Sequence, residues 1–361
     1  MKFSNQLNRR SFIKKSSMSM MSVSALPLMN PSHGIEKLNE SSSFLNTNEN
    51  KGLRITGTFI DEISHDIPHQ NWGEKEWDQD FQYMKAIGID TVIMIRSGYR
   101  KFITYPSEYL ISKGCYKPPV DLLELFLKLA DQHGMKFFFG LYDSGEFWDT
   151  GDLTKEIESN RFVIDEVWKN YGSRYKSFQG WYLSGEISRR TKGAIESFYA
   201  LGKQCKDVSN GLPTFISPYI DGQKAVAAAS STLSKSEAVS IKEHEEEWNT
   251  IFSGIHQVID ACAFQDGHID YDELDIFFEV NKKLADRYDI DCWTNAESFD
   301  RDMPIKFFPI KFEKLKLKLE AAKRANYDKA ITFEFSHFMS PQSAYRQAGH
   351  LYHRYKEYFN I

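Results

Sequence analysis

Gln179-Gly180-Trp181-Tyr182-Leu183-Ser184-Gly185-Glu186-Ile187-Ser188 reads as a short strand that ends at a carboxylate. Trp181, Tyr182 and Leu183 are strand formers. Ser184 and Gly185 break the run, and Glu186 falls where the strand opens into a loop. A second stretch, Ile290-Asp291-Cys292-Trp293-Thr294-Asn295-Ala296-Glu297-Ser298-Phe299, has the same form and stops at Glu297. The question is which fold brings two such strand ends together.

Working outward from these stretches, strand and helix patterns alternate from Leu53 onward. Strands are expected at Arg54–Ile60, Asp90–Arg96, Met135–Tyr142, the opening stretch, Pro213–Tyr219, Val258–Gln265, Ile290–Ala296 and Lys329–Phe335. Several are apolar on both faces, as buried parallel strands require. Between them Glu74–Ile87, Val120–His133, Leu153–Tyr171, Thr191–Val208, Lys242–Ser253, Tyr271–Tyr288, Phe308–Asn326 and Pro341–Tyr358 carry helical spacing. Gly222–Ile241 reads as a loop elaboration, and Pro341 as the first-turn proline of the closing helix. Eight alternating units predict an α/β chain folded as a single (β/α)8 TIM barrel. A doubly wound dinucleotide fold would place glycines after its first strand. Here that turn is Asp61-Glu62-Ile63-Ser64-His65.

The first residues stand apart. Asn8-Arg9-Arg10-Ser11-Phe12-Ile13-Lys14 resembles a twin-arginine export motif, and the weakly apolar Ser17–Met29 fits the segment that follows one. Residues 1–30 are therefore expected to be a signal peptide, 31–51 a disordered linker and 52–361 the barrel. The expected destination is periplasmic or secreted, by way of the twin-arginine export machinery, with no stable membrane span in the mature protein.

The 361 residues, 41% hydrophobic and 26% charged, are ample for a large core. A net charge of −5 argues against nucleic acid. The cysteines Cys115, Cys205, Cys262 and Cys292 lack metal spacing. Cys262 and Cys292 fall in strands and read as buried free thiols, with a disulfide as the alternative. His244-Glu245-Glu246-Glu247 reads as a solvated helix face, and Trp248 stands where a zincin would need its second histidine. No metal site and no cofactor are expected.

In a parallel barrel the active site lies at the carboxyl ends of the strands. Those ends carry Asp61, Glu62, Arg96, Tyr142, Tyr219, Gln265, Asp266, His268, Asn295 and His337, with Trp72 and Trp148 in loops as stacking candidates. Carboxylates, amides and rings suit a neutral polyhydroxylated ligand, so the expected partner is an oligo- or polysaccharide. Strands four and seven lie on opposite sides of the ring, which lets Glu186 and Glu297 flank a bound sugar. Such a pair can hydrolyse a glycosidic bond, one carboxyl protonating the leaving oxygen and the other attacking the anomeric carbon or activating water. Structural alternatives are a salt bridge from Glu186 to Arg189, Arg190 or Arg96, and a neighbouring strand end as partner of Glu297. Asp266 with His268 forms the weaker candidate for an acid/base or metal pair.

Glutamates ending strands four and seven resemble the large retaining glycosidase clan of (β/α)8 barrels. The strands GTFIDEIS, GWYLSGEIS, ISPYIDG, FQDGHI, WTNAESF and FSHFMSP resemble more specifically a family of exported bacterial barrels known only as a domain of unknown function (family 4434), over Leu53–Tyr358. The resemblance implies a glycosidase-like protein with Glu186 as acid/base and Glu297 as nucleophile. Gly185 stands where the clan usually carries the asparagine that binds the sugar 2-hydroxyl, and Asn295 is the substitute candidate. A glycan-binding barrel without catalysis is the second expectation.

Overall fold

The structure is a computed structural model that describes residues 51–64, 67, 69–146, 152–185, 192–222, 239–302 and 307–361. The expected signal peptide, nearly all of the linker and most of Gly222–Ile241 lie outside them. Eight parallel strands close a barrel: β1 (Ile55–Ile60), β2 (Thr91–Met94), β3 (Lys136–Gly140), β4 (Phe178–Tyr182), β5 (Thr214–Ile216), β6 (Ala261–Gln265), β7 (Asp291–Asn295) and β8 (Lys329–Thr332). They follow chain order around the ring, and β1 closes on β8 through Ile55 opposite Ala330 and Thr58 opposite Thr332. The expected barrel is therefore the observed one.

Eight long helices are described: α1 (Glu74–Ala86), α2 (Leu122–His133), α3 (Thr154–Val167), α4 (Ala194–Val208), α5 (Ile241–Ile255), α6 (Leu274–Arg287), α7 (Phe312–Arg324) and α8 (Arg346–Phe359). Their ends follow from sequence. The Asp121 carboxylate accepts the Glu124 amide at the start of α2, and Gly134 ends that helix at φ 63°. Ser240 and Glu243 form a capping box on α5.

The core has two shells. Inside the barrel, Phe59, Phe138, Tyr182 and Phe215 pack ring on ring with Ile93, Ala263 and Ile331. A Cβ at Gly180 would lie 2.2 Å from the Phe138 ring, so the missing side chain in β4 makes room for that ring. Outside, the strand backs meet the helices through fully buried Trp77, Trp181 and Trp248, each contributing on the order of 2–3 kcal/mol by burial.

Two boundaries and one burial stand out as different from the sequence reading. Strand β5 spans only Thr214–Ile216, with Tyr219 returning as an isolated bridge to Gln265. The closing helix begins at Arg346, not at Pro341, because Ser340, Gln342 and Ser343 spend their side chains on other contacts. His244 is not solvated; it is fully buried with its Nε2 2.6 Å from Asn281 Oδ1, while Glu245 pairs with Lys283. It shares the buried stripe of α5 with Trp248, Ile251 and Ile255.

Helices also reach up to hold the loops at the carboxyl end. Asp80 of α1 accepts the Ser336 and Ser340 hydroxyls after β8. Glu156 of α3 accepts the Ser144 amide at 3.0 Å and its hydroxyl after β3. Glu166 of α3 accepts the Ser107 hydroxyl and the Glu108 amide after β2. Above β2 and β3 a small three-stranded sheet joins Gly98–Tyr99, Phe102–Ile103 and Tyr142–Asp143.

Candidate active site

Glu297 lies just beyond β7 and is 1% exposed. Both its oxygens are engaged by one residue: Arg301 Nε donates to Oε2 at 2.7 Å and Nη2 to Oε1 at 2.5 Å. Its backbone is gripped as well. Asp266 Oδ1 accepts the Glu297 amide at 3.2 Å and Lys318 Nζ at 2.7 Å, and the same ammonium reaches the Glu297 carbonyl. Gly267 leaves the space the carboxylate fills, since a Cβ there would sit 2.0 Å from Oε2. Burial pushes this carboxyl up, but the Arg301 guanidinium and the Lys318 ammonium outweigh it and hold Glu297 below the ordinary glutamate value.

The top layer of the barrel interior is polar. Gln265 Nε2 donates to the Ser217 carbonyl at 2.7 Å, and Asn295 Nδ2 to the Ser217 hydroxyl at 3.1 Å. The Asn295 Oδ1 is buried without a hydrogen-bond partner among the described residues. At the end of β1, Asp61 Oδ1 caps its own loop through the amides of Ile63 and Ser64, while Oδ2 is buried with no hydrogen bond among the described residues. Buried acceptors of this kind carry a desolvation cost.

Beside Asp61, Glu62 Oε1 accepts the Gln70 amide at 3.1 Å and lies 4.0 Å from His337 Nε2. The other ring nitrogen of His337 is 2.5 Å from Glu334 Oε1. Glu334 is not in β8; it caps the helical turn Phe335–Phe338 and is fully buried. Burial, with Glu334 and Asp61 nearby, pushes Glu62 up to about 7 against the Gln70 amide and His337. Across the mouth Arg96 pairs with Asp143 at 3.0 Å. Tyr219 and His268 stack, ring centroids 5.0 Å apart and 13° from parallel.

Two residues proposed as ligand contacts are placed for packing. Tyr142 belongs to the outer core and donates its hydroxyl to the Arg100 carbonyl, because its strand position faces Ile103 and not the mouth. Trp72 packs edge-on against Trp77, centroids 5.0 Å apart. Asp266 is 1% exposed and bound to Lys318 of the helix layer, a support for Glu297 more than a ligand contact. Glu186 and Trp148 lie outside the described residues. Among the described residues no cluster of three or more His, Cys, Asp or Glu side chains fits a metal ion, and no helix is long and apolar enough to cross a membrane. All four cysteines are free thiols, with Cys262 and Cys292 in register on neighbouring strands.

The sequence reading missed Arg301, Lys318 and Ser217. Arg301 carried a signal, a cation four residues after a strand-end glutamate. Lys318 carried another, a lysine on the stripe of Phe312, Leu315 and Leu319 that α7 buries. Ser217 carried none, because its role depends on two other strands.

The fold and this mouth define a glycosidase-like (β/α)8 barrel. A family model described as a domain of unknown function (DUF4434) matches residues 55–345, and the chain belongs to that family. No curated protein matches. A crystal structure of a candidate alpha-L-fucosidase from Bacteroides thetaiotaomicron VPI-5482 is 75% identical, with TM-score 0.84, over 86% of this chain and 97% of that one. The endo-1,4-beta-D-mannanase of Thermotoga petrophila RKU-1 aligns at TM-score 0.53 and 10% identity, over 85% of this chain and 99% of that one. The endo-1,4-beta-mannanase of Rhizomucor miehei aligns at 0.50 and 11%, over 78% and 86%. These two share the fold alone.

Proposed function

We propose that the protein is a glycoside hydrolase that cleaves an oligo- or polysaccharide with retention, Glu297 acting as nucleophile and Glu186 as acid/base. The observation that carries this is Glu297 itself, a buried strand-end carboxylate held ionised by Arg301. An attacking carboxylate must be charged at working pH, and a bound cation is one means of keeping a buried one so. Asp61, Glu62, Asn295, Gln265 and His337 would hold the sugar hydroxyls. The relative 75% identical to this chain makes an alpha-L-fucoside the first substrate to test.

The test is a panel of aryl glycosides, led by 4-nitrophenyl alpha-L-fucoside, and of polysaccharides scored for new reducing ends. Glu297→Gln and Glu186→Gln serve as controls, and proton NMR reads the anomer first released. Retention matches carboxyls about 5–5.5 Å apart and inversion about 6.5–9.5 Å. Full activity in Glu297→Gln would overturn the assignment.

A second reading is a glycan-binding barrel without catalysis. It is favoured by the closure of the Glu297–Arg301 pair, which engages both carboxylate oxygens. Under it the parent binds sugar, releases none, and Glu297→Gln leaves binding unchanged. Residues 1–30 are proposed to direct export through the twin-arginine machinery. Replacing Arg9 and Arg10 by lysine and following the protein by cell fractionation tests that.

A further inference from the structure

The small sheet above β2 and β3 has two different faces. Its pairings put Gly98, Ile103 and Tyr142 on one side, against the core. On the other side they put Tyr99, Phe102 and Asp143. Asp143 is the partner of Arg96 at the barrel mouth, and the Arg96 guanidinium lies 5.3 Å from the Tyr99 ring. From the mouth this face therefore runs outward through Tyr99 to Phe102. Phe102 is 61% exposed and meets the 57% exposed Tyr116 edge-on, centroids 5.4 Å apart.

Large rings grouped in water on a rigid support are one form that a binding surface takes. Phe102 and Tyr116 are held in this way. The Tyr142 hydroxyl donates to the Arg100 carbonyl, the Arg100 amide to the Asp143 carbonyl at 2.9 Å, and the Tyr116 amide to the Lys101 carbonyl at 2.8 Å. Arg100 turns the chain between Tyr99 and Phe102 with φ at 54°, a region that favours glycine. It makes no ion pair among the described residues and lies 5.1 Å from the Tyr99 ring. A cationic donor fork thus occupies a turn where a residue without a side chain would be less strained.

We infer that Phe102 and Tyr116, with Arg100 beside them, form a binding platform for pyranose units of the glycan that extend beyond the barrel mouth. Pyranose faces of C–H bonds stack on aromatic rings, and the guanidinium supplies donors to hydroxyl or carboxylate oxygens at their rim. The platform rests on the carbohydrate reading of the mouth but not on hydrolysis.

The test is affinity gel electrophoresis of the full chain against xylan, galactomannan, pectin and gastric mucin, with the Phe102→Ala/Tyr116→Ala double variant, Phe102→Trp and Glu297→Gln. Because both rings stand mostly in solvent, the double variant is expected to melt with the parent. On the polysaccharide that retards the parent, it should show an apparent affinity lower by about tenfold or more. Phe102→Trp should keep the parent's retardation. Equal retardation of the double variant, or no retardation of the parent by any of the four, overturns the platform. Hydrolysis is read separately: a parent retarded through these rings that releases no reducing ends keeps the platform and loses the hydrolase. A parent and double variant that cleave polymer equally fast and are retarded equally keep the hydrolase and lose the platform.

Discussion

Glu297, buried, and Glu62, half-buried, are both glutamates at strand ends, yet the fold gives them opposite characters. Burial raises the proton affinity of each. At the end of β7 a guanidinium with two hydrogen bonds and a nearby ammonium reverse that effect. At the end of β1 the opposing groups are one backbone amide and a histidine 4.0 Å away, with Glu334 and Asp61 adding negative charge, and Glu62 is pushed up to about 7. The difference shows that depth alone does not decide ionisation here. The neighbouring cation does.

The largest expected effect falls on the ionised member. Under the hydrolase reading Glu297→Gln should lower kcat by about 10³-fold or more, with glycan binding kept. A fall of less than tenfold would break the contrast by making the two glutamates catalytically alike. Next comes the support beneath it. Lys318→Met strands the Asp266 carboxylate, which is 1% exposed, and should cost about 3–4 kcal/mol in chemical denaturation. Adding Asp266→Leu should recover most of that, because removing both charges together leaves neither buried alone. Failure of the double variant to recover would show that Lys318 acts mainly through the Glu297 carbonyl.

Arg301→Met makes Glu297 resemble Glu62. It should cost about 2–3 kcal/mol, less than a fully buried pair because the guanidinium is 25% exposed. It should also move the acidic limb of any pH–rate profile upward, since burial then acts unopposed by that cation. An unmoved limb would mean that Arg301 does not set the charge. The other member of the contrast is tested by Glu62→Gln. Glu62 binds a proton more tightly folded than unfolded, so its contribution is fullest below the ordinary value of 4.5 and is lost as pH rises to about 7. The glutamine variant should therefore gain about 3 kcal/mol relative to the parent between pH 4 and pH 8. A constant difference across that range would remove the raised proton affinity from the comparison.

The barrel was legible because each layer imposes a repeating pattern. Strands such as Thr91–Met94 are buried on both faces and read as apolar runs, and helices such as Leu122–His133 carry a stripe, a capping aspartate and a terminal glycine. The strand-end carboxylates were legible from that order alone. Their ionisation was not, because the partners come from elsewhere in the chain. Lys318 lies on a helix otherwise rich in exposed cations, and only its place on the buried stripe sets it apart. Tyr142 misled because a strand-end tyrosine faces either the mouth or the helices by a single step of register, and the pairing with Gly98 turns it outward. Pro341 misled because Ser340 and Gln342 around it bond to α1 and not to their own helix.

The carboxylates that rise from α1 and α3 to hold the loops bear on how such a barrel could change its specificity. Asp80 binds the segment after β8 through two serine hydroxyls, and Glu156 binds the segment after β3 through one serine. The fastening thus resides in the scaffold, and a loop need contribute only a hydroxyl at the matching position. Between Ser336 and Ser340 the loop also buries His337, Phe338 and Met339, so a transplanted loop that keeps its serines and this packing would arrive already moored.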